Sequence, residues 1–138
     1  MSEPDITDYV PSDDEEFMNP RQQAYFRARL EQWKADILAG TKSTINNLQE
    51  DSSNLPDLVD RASSESDKAL ELRTRDRQRK LIAKIDAALR RIDEGEYGYC
   101  EVTGEPISLK RLDARPIATM SLEAQERHER REKVHRDD

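Results

Sequence analysis

Ser52-Ser53-Asn54-Leu55-Pro56-Asp57-Leu58 separates two long helical patterns, and the position of this break decides the fold. Pro56 biases Leu55 out of the α region and is tolerated in a helix only near its first turn. Upstream, Phe26, Leu30, Trp33 and Ile37 recur at 4-3-4 spacing, which is one face of a helix. That helix has a start signal: Asn19 suits the N-cap and Pro20 the first helical position. Gln22 stands third, where it can reach back as in a capping box. The stripe thins after Gly40 and resumes at Ile45 and Leu48, so one helix, bent near Gly40, is expected to about residue 52. Downstream, Leu70, Leu81, Ile85, Ala88 and Ile92 share a face of a second helix running to Glu94. Gly95 is placed as the residue after its C-cap, and Gly98 ends any continuation. Two helices of this length with a tight break between them are antiparallel partners.

The aromatic residues support this reading. Tyr9, Phe17, Tyr25, Phe26 and Trp33 lie early, Tyr97 and Tyr99 lie late, and residues 34–96 have none. Large aromatic side chains dominate the filling of cores, so one small core is expected to join the two regions. The stretch between them is a thin arm; from Trp33 to the break it would project roughly 35 Å at the α-helical rise. The expected fold is all-α, a long antiparallel coiled-coil hairpin over 19–94 on a small globular base. The tip lies at 55–62, and 19–33 with 81–94 contribute to the base. A short irregular module follows over 95–120, where Ser108–Ala114 form a short strand or helical turn. Ser121 caps a C-terminal helix over 121–138.

The chain has 138 residues, 34% hydrophobic and 38% charged, which suits one small core with an extended element. No apolar run approaches a membrane span, and the N-terminus lacks the basic start and apolar stretch of a signal peptide. A single Cys leaves no internal disulfide framework and fits a reducing, cytoplasmic setting. The net charge of −7 is all in the first 16 residues, which hold seven acids and no Lys or Arg. The remaining 122 carry 23 acids and 23 bases. A neutral body is poorly suited to gripping a polyphosphate backbone, so direct nucleic-acid binding is not expected. The acidic segment 1–18 reads as a solvated, disordered tail.

Three places could carry chemistry. At the tip, Asp57 and Asp60 read as the N-cap and third residue of the second helix, which favours acids by hydrogen bonding and the helix dipole. Two carboxylates at the end of a long arm could equally meet a metal or a basic loop of a partner, with Leu58 and Val59 exposed between them. On the second helix, eight bases between Arg73 and Arg91 face only Asp76 and Asp86, whereas residues 50–67 are the reverse. This block is either a solvated face with i,i+4 pairs or a dock for an acidic protein surface or a compact polyanion such as a nucleotide. Cys100 has no second Cys three residues on, and His128 and His135 lie on another helix. It therefore reads as a small core residue and not as a zinc ligand or nucleophile.

Several motifs together resemble the DksA/TraR family of bacterial RNA polymerase regulators, from about Met18 to Arg131. They are Pro56-Asp57-Leu58-Val59-Asp60-Arg61-Ala62 at the tip and Leu70-Glu71-Leu72-Arg73-Thr74-Arg75-Asp76-Arg77, with Arg79-Lys80-Leu81-Ile82, on the second helix. Tyr97-Gly98-Tyr99-Cys100-Glu101 and Arg111-Leu112-Asp113-Ala114-Arg115-Pro116 complete the set. The family's zinc module is C-x2-C, seventeen residues, C-x2-C, and its four ligand positions here are Cys100, Thr103, Ser121 and Ala124. Spacing is kept but three ligands are missing, so the resemblance implies a degenerate zinc-finger-like module and no bound zinc.

The resemblance further implies a monomeric cytoplasmic regulator that is not an enzyme, does not bind DNA or membranes, and places its tip in the secondary channel of RNA polymerase. There it would alter promoter-complex stability, repressing ribosomal RNA promoters and activating some biosynthetic ones, with guanosine tetraphosphate (ppGpp) as effector. The implied tip determinants are Asp57, Asp60 and Ala62. The implied ppGpp-binding residues, acting together with polymerase, are Arg77, Leu81, Lys84 and Arg115. A lysine usual in that site aligns with Gln125, which implies weaker nucleotide synergy. An alternative is a transcript-cleavage factor whose tip carboxylates help hold a catalytic Mg2+; a self-associating scaffold is a third.

Overall fold

A computed structural model of the chain describes residues 4–53 and 58–137, with side chains over 4–40 and 65–134. It contains four helices among the described residues: α1 (Pro20–Ser53), α2 (Leu58–Asp93), α3 (Leu109–Ala114) and α4 (Leu122–Asp137). The only β-type pairing among them is an isolated antiparallel bridge between Tyr99 and Pro106. The all-α expectation therefore holds, and the residues over Ser108–Ala114 are helical. No helix among the described residues is long and apolar enough to cross a membrane.

The N-terminus of α1 is built as its sequence asks, with one change. The Asn19 side chain accepts from the Gln22 N–H at 2.9 Å, a true N-cap. Gln22 does not reach back to Asn19; its Oε1 accepts from the Met18 N–H at 2.8 Å, one residue further out. Met18 has a positive φ of 53°, which turns its N–H toward the helix. The backbone runs as one helix through Gly40 to Ser53. At the other end, α2 closes with both bonds of a Schellman motif: Glu96 N–H to Arg91 O at 2.8 Å and Gly95 N–H to Ile92 O at 3.1 Å. Gly95 supplies the left-handed φ of 75° that this turn needs.

The chain divides into two compact units. The first comprises Met1–Leu30 and Ala87–Asp138, the second Glu31–Asp86. The base contribution expected from 19–33 and 81–94 is thus shifted: the first unit takes α1 only to Leu30 and α2 only from Ala87. Trp33, half-buried, belongs to the second. The first unit's core is assembled from every element it contains: Phe26 and Leu30 (α1), Ala88 and Ile92 (α2), Tyr97, Cys100 and Ile107. Leu109 and Leu112 (α3), Ala118, and Ala124 (α4) complete it. Early and late aromatic residues meet there, Phe17 edge-on to Tyr99 at 5.4 Å and Phe26 against Tyr97 at 5.6 Å, whereas Trp33, expected with them, does not belong to this unit.

Residues 4–18 depart from the disordered tail expected for 1–18. They hold no helix or strand, yet Tyr9 and Met18 are buried. Tyr9 donates to Glu15 at 2.6 Å, lies edge-on to Tyr25 and carries the Arg21 guanidinium 4.1 Å above its ring. Gly98 makes room for this segment, since a Cβ there would come within 3.1 Å of both Phe17 and Met18 side chains. The acids of this segment suggested solvation; its few apolar groups, tied to α1 and Gly98, decide otherwise.

In the second unit, Lys34 of α1 pairs with Asp86 of α2 at 2.8 Å. Its less exposed α2 positions include Glu71, Thr74, Gln78, Leu81 and Ile85, spaced 3-4-3-4, with Asp76, Ile82 and Asp86 half-buried beside that line. Leu70, expected on the buried face, is 57% exposed because it stands one position off that line.

Candidate functional site

The tip residue Asp57 lies outside the described residues. α2 begins at Leu58, so Asp60 occupies its third position and Ala62 its fifth; the side chains of both lie outside the described ones.

The basic block of α2 is sorted by its ion pairs. Arg75 binds Glu71 at 2.7 Å, and Asp76 takes both Arg79 at 2.7 Å and Lys80 at 3.0 Å. The hydrogen bond from Lys80 and then that from Arg79 hold the Asp76 carboxyl below its ordinary value. Arg77 and Lys84 are exposed and have no carboxylate partner among the described residues, with Leu81 half-buried between them in sequence. A cation without a local acid is available to an incoming anion, whereas Arg79 and Lys80 would have to give one up. Arg115 belongs to the other unit, and its side chain is exposed and likewise has no ion pair among the described residues.

Arg115 follows α3, a single turn capped by Ser108 Oγ, which accepts from Arg111 N–H at 3.2 Å. Its own N–H closes the turn on Arg111 O at 2.7 Å, and its carbonyl accepts from Ala118 N–H at 3.0 Å. The next residue, Pro116, is buried and accepts the Tyr97 hydroxyl at 2.8 Å. Burial pushes the Tyr97 phenol well above its ordinary range, so it stays a donor. Gln125, where the resemblance expects a lysine, donates instead to Glu129 at 3.1 Å.

The degenerate metal positions remain close together. A tight turn, with Gly104 N–H on Cys100 O and Cys100 N–H on Glu105 O, both 2.8 Å, returns the chain past Cys100. Glu101 N–H bonds Thr119 O at 2.9 Å, which brings Ser121 alongside. Burial pushes the Cys100 thiol up, but the Thr103 hydroxyl and the N–H groups of Ser121, Thr103 and Val102 favour its thiolate. Together they draw its pKa down to about 6. The Ser121 hydroxyl is used otherwise, accepting from Ala124 N–H at 3.2 Å as the N-cap of α4. Thr103 Oγ1 accepts from Glu105 N–H at 3.2 Å. Ala124 is buried and has no ligating atom. One thiol, two engaged hydroxyls and a methyl do not supply the four donors of a structural zinc site. Among the described residues, no group of three or more His, Cys, Asp or Glu could hold a metal.

The motif around Arg115 contains a cluster that pattern reading did not single out. Asp113 accepts from the Tyr25 hydroxyl at 2.8 Å and from Arg29 at 2.6 Å, and Arg29 also donates to the Asp113 carbonyl at 2.6 Å. The acid beside Arg115 was visible in sequence; its partners 84 and 88 residues away were not.

Comparison with known proteins yields consistent matches. The family model described as DnaK suppressor protein DksA, N-terminal domain, matches residues 22–92, and that of the prokaryotic dksA/traR C4-type zinc finger matches residues 95–130. The chain is 67% identical over 132 residues to an RNA polymerase-binding transcription factor DksA of Caulobacter vibrioides, covering 96% of this chain and 93% of that one. It is 41% identical over 128 residues to the protein of the same name in Escherichia coli, covering 93% and 85%. The solved structure of transcription factor DksA2 from Pseudomonas aeruginosa superposes with a TM-score of 0.78 at 40% identity, covering 85% of this chain and 90% of that one.

Proposed function

Because this chain belongs to the DksA/TraR family, we propose that it is an RNA polymerase-binding transcription factor whose helical tip enters the enzyme's secondary channel and alters promoter-complex stability. The observation that carries this reading is the 67% identity across nearly the whole of both chains to a protein named for that binding. Ribosomal RNA promoters would be repressed and some biosynthetic promoters activated. The protein acts as a cytoplasmic monomer, without catalysis and without gripping DNA, in keeping with a body that is neutral beyond its first 16 residues.

At the tip, Asp57 and Asp60 meet basic elements of polymerase, with Ala62 beside them. In a narrow channel of low dielectric such charge pairing is stronger than in water. Capping of α2 does not compete, since a carboxylate has acceptor capacity for both roles. Arg77, Lys84 and Arg115, with Leu81, bind ppGpp jointly with polymerase; that none of the three cations has an ion pair among the described residues supports this. Gln125, bonded to Glu129, adds no charge there, so synergy with the nucleotide is modest. Zinc has no part in this reading.

Transcription in vitro from a ribosomal RNA promoter, with and without ppGpp, tests it. Wild-type protein inhibits, ppGpp deepens the inhibition, and Asp60→Asn loses most of it while keeping its helicity and polymerase affinity. Asp60→Asn inhibiting as well as wild type would remove the tip mechanism. Shortening of the RNA in stalled complexes would favour the transcript-cleavage alternative.

A further inference from the structure

We propose that Asp113, gripped by Tyr25 and Arg29, is a positioning residue that presents Arg115 to the anionic effector; this rests on the reading of Arg115 as a ppGpp-binding residue. Arg115 has a side chain in solvent and a main chain held on both sides. On its N-terminal side Arg29 grips Asp113 twice, through the carbonyl and the carboxylate, each at 2.6 Å. The Tyr25 hydroxyl adds a third bond at 2.8 Å. On its C-terminal side Pro116 is anchored by buried Tyr97. Tyr25 is itself oriented by edge-on contacts with Phe26 at 5.1 Å and Tyr9 at 6.0 Å. The chain of contacts thus runs from buried Tyr9 of the N-terminal segment, through Tyr25 and Asp113, to Arg115.

Stability alone gives this cluster little reason to exist. The Arg29 and Asp113 side chains are 37% and 59% exposed, and ion pairs that open to water contribute little to folding. Simple electrostatics would remove the acid: a carboxylate two residues from Arg115 repels an anion that Arg115 is to bind. A carboxylate there that accepts two bonds, beside a carbonyl that accepts a third, is explained by geometry, because fixing a cation's main chain before binding reduces the ordering cost when a diphosphate arrives.

Charge and position predict opposite signs, which makes the idea testable with full-length protein, bacterial RNA polymerase and ppGpp titrated in the promoter assay. Asp113→Ala raises the ppGpp concentration for half-maximal effect about threefold to tenfold, as expected for losing one or two hydrogen bonds. Inhibition without ppGpp is unchanged. Asp113→Asn, which keeps the acceptor oxygen, stays near wild type, and Tyr25→Phe shifts in the same direction by less. Arg115→Ala, as control, abolishes the ppGpp increment. If Arg115→Ala has no effect, or the wild type does not respond to ppGpp, the reading of the site falls and the inference with it. If Arg115→Ala is defective while Asp113→Ala matches wild type or responds at lower ppGpp, the inference alone is overturned. Should Asp113→Ala lose inhibition without ppGpp through misfolding, Tyr25→Phe decides: a shift supports positioning, and wild-type behaviour overturns it.

Discussion

Cys100 stands at the one retained ligand position of a zinc module, and the fold surrounds its sulfur with hydrogen-bond donors. Burial disfavours its thiolate, but Thr103 and the N–H groups of Ser121, Thr103 and Val102 outweigh that and bring the pKa to about 6, from an ordinary 9.0. A thiol depressed in the folded state stabilises it when deprotonated. The contribution is fully present above about pH 9, fades as pH falls, and is gone below about pH 6. The urea midpoint of wild type minus that of Cys100→Ser should therefore grow between pH 6 and pH 9; a constant difference would mean that the donors hold no thiolate. The sequence marks Cys100 as a small core residue, and it is buried. Its donors were not legible, because Ser121 reaches it only through the pairing of Glu101 with Thr119.

Helix ends are the elements most directly written in the residues. Asn19 and Ser121 act as N-caps where their types and positions predict, and Gly95 closes α2. Ser121 does so at a former ligand position. Ser121→Ala should cost about 1 kcal/mol of stability in urea unfolding, whereas Ser121→Asp, which keeps an acceptor, should be close to neutral. An Ala variant as stable as wild type would show that the cap of α4 contributes nothing. Helix faces were less legible than helix ends. Ile85, Ala88 and Ile92 are buried as their spacing predicts, but Leu70 faces solvent because the inward line passes through Glu71, Thr74 and Gln78. When the inward line of a helix is polar, apolar spacing no longer reveals its register.

At the scale of the whole molecule, the family's zinc-finger region keeps its place in the chain while its donor set has changed. Here the region is held by the pairing of Cys100 with Glu105, Glu101 with Thr119 and Ile107 with Gly98, and by the burial of Ile107, Leu112, Ala118 and Ala124. Such a region is expected to stand without metal. Purified protein should contain no stoichiometric zinc, and a chelator should leave its thermal unfolding unchanged. Stoichiometric zinc, with loss of structure in chelator, would overturn this.

What depends on near neighbours along the chain can be read from the residues alone: the two long helices, the N-cap of α1, the C-terminal turn of α2, the partition of charge and the meeting of early with late aromatics. Each follows from spacing or from hydrogen bonds that span a few residues. Which distant groups converge is set by the folded chain. Tyr25 and Asp113 are 88 residues apart, and Tyr9 and Met18, in a segment whose acids suggest solvation, are buried. Irregular segments have no period from which to read a register, so their partners are chosen by the packing of the core.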